Sequence, residues 1–366
     1  MEWSSEKPKK KKSWIALLLI AAIVAFLCFL IFSGKNSGSI GVVKLRCSAA
    51  QSVMPFGDSV VYYDGTTIYC LNTNGTEKWN YTIGANAGIS TDGGSVIAWV
   101  DNQLFIIDKN GKSTYSDHLS DEIQFARAGS KYVAAVLGDG IGPKLIMKDL
   151  NGNTVDEENL AYEDMVILDA GFFADGEYLW IIGLDVYGTV PSSTMFTMLV
   201  GQRNTGEISL GEPLVYAVKY AAEKLYVIST RQMNVYDYRG TQNKNASMLV
   251  YGWRLIDSAE TGAGADLLFS PSRQFSQSES ITELRLIRGS QDKRLTLPSS
   301  CVGGTLYKSK IYAFSQDSIY RISYQEQRFT GLNLPISGEV TGYLGTTANG
   351  VSLLCCGMDV YAVTLP

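Results

Sequence analysis

Apolar and polar positions alternate along most of the chain in short runs, and one long run stands apart from them. Residues 14–32 read WIALLLIAAIVAFLCFLIF, nineteen residues without a charge, glycine or proline. As a helix rising about 1.5 Å per residue this run would reach about 28 Å, close to the roughly 30 Å of a bilayer's hydrocarbon core. The pattern predicts one N-terminal transmembrane helix at 14–32. Lys7 and Lys9 to Lys12 precede it, and Lys35 alone follows closely. The excess of positive charge puts residues 1–13 in the cytoplasm as a basic tail and everything beyond the span outside it. A cleaved secretory signal is the competing reading. It has an apolar run of about 7–15 residues with small residues before the cut, whereas Leu30, Ile31 and Phe32 occupy that place here.

Beyond a polar linker at 33–39 (SGKNSGS) the pattern becomes one of strands. Apolar, β-branched and aromatic runs start at Val60, Val96, Tyr132, Leu179, Leu225, Leu267, Ile311 and Val351, at intervals of 36, 36, 47, 46, 42, 44 and 40 residues. No useful stretch with a helical period interrupts them. In most units a second run follows, as in Ile68-Tyr69, Leu104-Phe105, Val235-Tyr236, Ile319-Tyr320 and Val360-Tyr361. A turn signal comes next, such as Asn74-Gly75, Asn110-Gly111, Asn151-Gly152, Thr205-Gly206 or Arg239-Gly240. Glycine suits a tight hairpin because the turn needs a positive φ that other residues resist. A polar strand such as 76–81 (TEKWNY) ends the unit, and a small-residue segment such as 85–90 (ANAGIS), 165–172 or 340–344 precedes the next apolar run.

A small inner strand, two apolar middle strands and a polar outer strand, repeated about every 42 residues, describe the blade of a β-propeller. The expected fold is all-β, an eight-bladed propeller over 40–366 preceded by the transmembrane helix. Seven blades are the alternative, because the fourth and sixth units are long and irregular. The last unit ends at Pro366, just after its third strand, while residues 40–47 form an orphan strand. Pairing the two would close the ring and remove its exposed edges.

Charge and composition narrow the chemistry. Of 31 basic and 36 acidic residues, six Lys and two Glu lie in the first 35, leaving 25 against 34, a net −9, for the rest. So acidic a segment is a poor partner for nucleic acid. A single histidine, His118, excludes His-rich zinc sites and multi-His copper or iron centres. Five cysteines lie beyond the span: Cys47, Cys70, Cys301, Cys355 and Cys356. An odd number leaves at least one unpaired, and a bridge from Cys47 to Cys355 or Cys356 would lock the ring shut. Asp149, Asn151 and Asn153 begin like a calcium loop, but Thr154 and Leu160 stand where such a loop needs Gly and Glu. An Asn- and Gly-rich hairpin turn is the better reading. A hydrolase would need two carboxylates converging at about 5–9 Å, and Asp169 and Asp257 are the candidates on inner-strand segments.

Residues 60–79, VVYYDGTTIYCLNTNGTEKW, resemble the pyrroloquinoline-quinone-type propeller repeat: a strand, Gly, Leu-Tyr-Ala-Leu, Asp, a Gly turn, then a Trp on the outer strand. Units two and five resemble degraded copies. With its anchor, the chain also resembles single-span membrane-anchored propeller proteins of Gram-positive bacteria. The resemblance implies a quinone-dependent dehydrogenase as one alternative, with the vicinal Cys355-Cys356 beside the quinone. Against it, the pair falls inside the apolar strand VSLLCC, and Trp79 alone keeps the docking tryptophan. The expected function is therefore non-catalytic, with no catalytic, cofactor-binding or metal-ligating residue assigned and no cofactor. The protein would be a membrane-anchored extracytoplasmic propeller that binds a protein or cell-envelope polymer as scaffold or sensor. A hydrolase of envelope carbohydrate is the other alternative. Insertions at 185–194 and 271–281 are expected to throw docking loops over one face.

Overall fold

The computed structural model describes residues 40–366 apart from 139, 159–161, 174–175, 203, 238–239 and 273–279. The expected basic tail, transmembrane helix and linker, residues 1–39, lie outside the described residues. Among those described, the elements are β-strands and no helix is long and apolar enough to cross a membrane. The strands fall in one compact unit, Val42–Thr364.

The strands, numbered in chain order, form antiparallel meanders. After β1 (Val42–Ser48), the first sheet takes β2 to β5 (Ser52–Phe56, Ser59–Tyr63, Thr67–Asn72, Glu77–Thr82). The second takes β6 to β9 (Gly88–Thr91, Ser95–Val100, Gln103–Asp108, Ser113–His118), and the third β10 to β13 (Ile123–Ala128, Tyr132–Leu137, Lys144–Asp149, Thr154–Glu158). The fourth takes β14 to β17 (Met165–Phe172, Tyr178–Asp185, Ser192–Leu199, Asn204–Gly211), and the fifth β18 to β21 (Val215–Ala221, Lys224–Ser229, Gln232–Asp237, Met248–Leu249). A seven-stranded sheet follows, β22 to β28 (Trp253–Thr261, Gly264–Pro271, Ile281–Arg288, Gln291–Tyr307, Lys310–Ser315, Ser318–Ser323, Thr330–Asn333). In it β25 runs for 17 residues, pairing with β24 through Gln291–Thr296 and again at Cys301, and with β26 through Cys301–Tyr307. Pro298, Ser299 and Ser300 carry the chain between the two pairings. The last sheet has the order β1-β31-β30-β29, with β29 to β31 at Gly342–Thr346, Val351–Cys356 and Asp359–Thr364.

Alternation along the middle strands builds the core, because successive side chains of a strand point to opposite faces. In β3, Val61 and Tyr63 pack with Val96 and Phe105 of the second sheet, while Val60 and Tyr62 pack with Leu353 and Val360 of the last. Ile97 and Ile106 of the second sheet meet Ala135 and Ile146 of the third in the same way. Each such layer is a separate core between consecutive sheets. The first and last sheets become neighbours through β1, which pairs antiparallel with β31 (Val42 opposite Val363, Lys44 opposite Tyr361). Its Leu45 and Cys47 are buried with Val60 and Leu71.

The outer strands add a second tie. Trp79 of β5 donates its indole N–H to the Lys109 carbonyl at 3.0 Å, in the β8–β9 turn of the next sheet. Gly111 of that turn has φ +83°, and a Cβ there would stand 2.5 Å from the indole. Tyr115 of β9 lies likewise on Gly152, Val155 of β13 on Gly201 and Ile208 of β17 on Gly240, each in the corresponding turn of the following sheet, while Val43 and Leu45 of β1 meet Gly75. One glycine thus makes the hairpin and leaves room for the neighbour's side chain.

Candidate interaction surface

The first strand of each set lines the inner side of the unit, and six of them carry a register shift: at 123/125, 167/169, 215/217, 255/257, 301/303 and 343/345. Such a bulge adds one residue and sharpens the local twist. Asp169 and Asp257 follow the shift in β14 and β22, and the Oδ1 of each accepts the next backbone amide, Ala170 N at 2.9 Å and Ser258 N at 2.7 Å. Each also reaches a neighbouring sheet's first strand. Arg127 of β10 holds Asp169 Oδ1 through Nε at 2.9 Å and Nη2 at 2.8 Å. Thr305 Oγ1 and Leu306 N of β25 both donate to Asp257 Oδ2 at 2.7 Å. The two carboxylates considered for hydrolysis are ties between sheets, and Asp257 also lines a cavity of about 680 Å³.

The other sequence candidates are also accounted for locally. All five described cysteines are free thiols. Cys47 of β1 and Cys355 and Cys356 of β30 have β31 between them. Two strand spacings, about 10 Å, exceed the roughly 7 Å that a disulfide spans between Cα atoms, so the bridge considered from the sequence is not made. Burial pushes the Cys47 and Cys70 thiols up to about 11 and Cys301 up to about 12. Asp149 spends its carboxylate on its own turn, accepting Asn151 N and Asn153 N at 2.9 Å each and Asn153 Nδ2 at 2.8 Å. Asp108 repeats this with Asn110 N and Lys112 N. Among the described residues no group of three His, Cys, Asp or Glu could hold a metal ion. His118 is exposed at the end of β9, its Nδ1 2.9 Å from Asn102 Oδ1.

What stands out is the distribution of exposed apolar side chains. In a four-stranded meander, the turn between the second and third strands and the connection to the next sheet lie at the same end. Eight of the nine large hydrophobics exposed among the described residues lie at or beside these positions: Ile141, Tyr187, Val190, Leu214, Tyr216, Leu249, Tyr251 and Met358. Val155 lies toward the other end. The loop of 186–191 supplies Tyr187 and Val190, and the expected loop of 271–281 springs from the same end, although 273–279 lie outside the described residues. Val42, where the chain enters this unit, is at the opposite end.

A cavity of about 670 Å³ opens among the last of these groups, lined by Tyr216, Tyr251, Trp253, Arg254, Thr230 and Ser272 together with Gly252. Its floor is fixed from below. Arg285, buried, makes a two-point ion pair with Asp292 at 2.8 Å and donates from Nη1 to the Leu249 carbonyl at 3.0 Å. That guanidinium holds the Asp292 carboxyl below the usual range. Arg285 and Arg294 lie 5.7 Å and 5.4 Å from the centre of the Trp253 ring, within reach of a cation–π contact. Tyr216 Oη accepts from Leu255 N at 3.0 Å, and burial pushes its phenol up. Arg231 and Arg254 are exposed and have no ion-pair partner among the described residues. Arg254 also borders a second cavity of about 680 Å³, walled by β22, β25 and β29. There Tyr343 Oη lies 2.9 Å from Thr346 Oγ1, and burial pushes the Tyr343 phenol up to about 12. The aromatic cleft was missed in the sequence. Its signal is the run Tyr251-Gly252-Trp253-Arg254, bulky where other units enter their inner strand through small residues.

Comparison with known proteins agrees with this architecture. The chain is similar to the crystal structure of BamB from Moraxella catarrhalis, at 12% identity over 89% of this chain and 98% of that one, with a TM-score of 0.53. It is similar to the crystal structure of Sqt1 from Saccharomyces cerevisiae, at 10% identity over 89% of this chain and 100% of that one, with a TM-score of 0.57. Both are β-propellers, and likeness at such identities establishes that fold alone. No curated protein matches the sequence. A family model described as a family of unknown function, DUF5711, matches residues 39–250.

Proposed function

The chain belongs to the family of unknown function DUF5711, and from that premise we propose that it is a non-catalytic, membrane-anchored β-propeller that binds a protein or cell-envelope polymer outside the cytoplasm. The observation that carries the binding role is the placement of exposed aromatic and aliphatic side chains at one end of the sheets, with Tyr216 and Tyr251 lining a preformed cleft there. Exposed apolar side chains beside a cleft mark interaction sites, and connections on a rigid scaffold are where recognition resides. The spent carboxylates of Asp169 and Asp257 favour binding over hydrolysis. Eight blades is the count we propose, with the two halves of β25 serving consecutive blades. The recurrent seat of an outer-strand side chain on the next turn's glycine supports kinship with the quinone-type repeat.

The anchor at 14–32 rests on hydropathy and flanking charge. The address is tested by fractionation and surface labelling of cells expressing the full-length protein. It should stay with the membrane after an alkaline carbonate wash, and a tag after Pro366 should be reached by antibody on intact spheroplasts. A carbonate-soluble protein or a hidden tag refutes the address. The binding role is tested by a photo-crosslinking residue placed at Tyr251 and, as a control, at Asn110 in the opposite turn. Adducts specific to Tyr251 are expected; equal adducts at both positions, or none, refute it.

A further inference from the structure

We infer that the cleft beside Trp253 receives an acidic protein segment, with a carboxylate against Arg254 and apolar side chains against Tyr216, Tyr251 and Leu249. The inference rests on reading this end of the propeller as a binding surface, and it names the partner. Three observations select an acidic protein segment.

The first is the composition of the walls. Tyr216, Tyr251, Trp253 and Arg254 converge on one cavity, and Tyr, Trp and Arg are the residue types that carry most of the energy at protein interfaces. The second is the rim. Leu249 is 70% exposed and Leu214 49% exposed. A sugar polymer stacks on aromatic faces and gains little from aliphatic side chains, and a polyphosphate gains from neither. A polypeptide that brings its own apolar side chains uses both. The third is charge. Among the described residues no carboxylate lines the cleft, and Arg254 stands there, exposed and without an ion-pair partner among the described residues. A basic segment would bring a like charge against Arg254, whereas a carboxylate would pair with it. The platform is also rigid before binding, because Arg285 ties Trp253, Leu249 and Asp292 together. Little ordering is then lost when a partner docks.

The test uses the full-length protein in detergent. A phage-displayed library of random twelve-residue peptides is panned on it, and enriched peptides are synthesised and titrated by fluorescence anisotropy. Enriched sequences should carry Asp or Glu beside apolar residues. Arg254→Ala and Tyr251→Ala should each weaken binding at least about tenfold, as removal of a central contact does. Replacing the peptide's acidic residue by its amide should abolish the effect of Arg254→Ala. Thermal unfolding of both variants should match the parent, since both side chains are exposed. Enrichment of basic or uncharged peptides, binding indifferent to both substitutions, or no enrichment overturns the inference. A parallel pelleting assay with purified cell-wall sacculi separates this inference from the broader reading. Sacculus binding that depends on Tyr251, without peptide binding, overturns the acidic segment and leaves the surface standing. Failure of both probes and of the crosslinking at Tyr251 removes the surface as well.

Discussion

Asp257 and Trp79 both stand out in the sequence, one as a candidate carboxylate and one as a docking tryptophan, and for both the tertiary contact decides the role. Asp257 sits behind a bulge, in the run Leu255-Ile256-Asp257-Ser258, as Asp169 does in Ile167-Leu168-Asp169-Ala170. Two apolar residues, Asp and a small residue form the legible signal, while the donors, Thr305 and Leu306, come from about fifty residues away. Asp257→Ala leaves those donors without a partner and should cost about 1–3 kcal/mol in urea unfolding. Trp79→Ala removes a side chain that is only 9% exposed and should cost about 3–5 kcal/mol. An unchanged urea midpoint in either variant contradicts the assignment. The buried thiols set a pH dependence. Cys47 and Cys70 are raised from 9.0 to about 11, so the folded chain holds these protons more tightly than the unfolded one. Their contribution is complete below pH 9 and is lost as the pH climbs through about 11. The urea midpoint should fall between those values, and a rise would contradict the burial of these groups.

At the scale of elements, the repeated position matters more than the repeated residue. The docking seat on the next sheet's turn glycine is filled by Leu45, Trp79, Tyr115, Val155 and Ile208 in turn. A search for tryptophan therefore finds one blade where the geometry uses five. The glycine is the more constrained partner, because it needs both a positive φ and an absent Cβ. Gly111→Val, with φ +83° and the indole 2.5 Å from a Cβ, should destabilise by at least about 2 kcal/mol, at the large end of single substitutions. The 36-residue intervals of the early units were legible because their turns are tight. The boundary inside β25 was less so, since Pro298, Ser299 and Ser300 continue as extended chain where other units turn. Deleting residues 40–47 uncovers the edge of β31, and an uncovered edge is a template for association. The deletion variant should elute as aggregate in size-exclusion chromatography, and a monodisperse peak would show that β1 is dispensable.

For the whole molecule, the consequential feature is asymmetry between the two ends of the sheets. Exposed apolar side chains gather at the end where inner strands begin. The Leu249 and Tyr251 side chains are among the most exposed of them, so Leu249→Ser and Tyr251→Ser should shift the melting temperature by no more than a degree or two, as for ordinary surface changes, while binding at the cleft is lost. A large drop in melting temperature would mean that the two side chains serve the fold.

The sequence by itself determined the fold class. Strand periodicity, turn glycines and a unit of about 42 residues are local properties, written in neighbouring residues and independent of what any strand packs against. The tertiary structure alone decided what the chemistry-bearing residues do. Asp169, Asp257, the thiols and the aromatic cleft acquire their roles from partners on other sheets, and the side chains of Tyr216, Tyr251 and Trp253 meet only because successive sheets stack with their connections at one end.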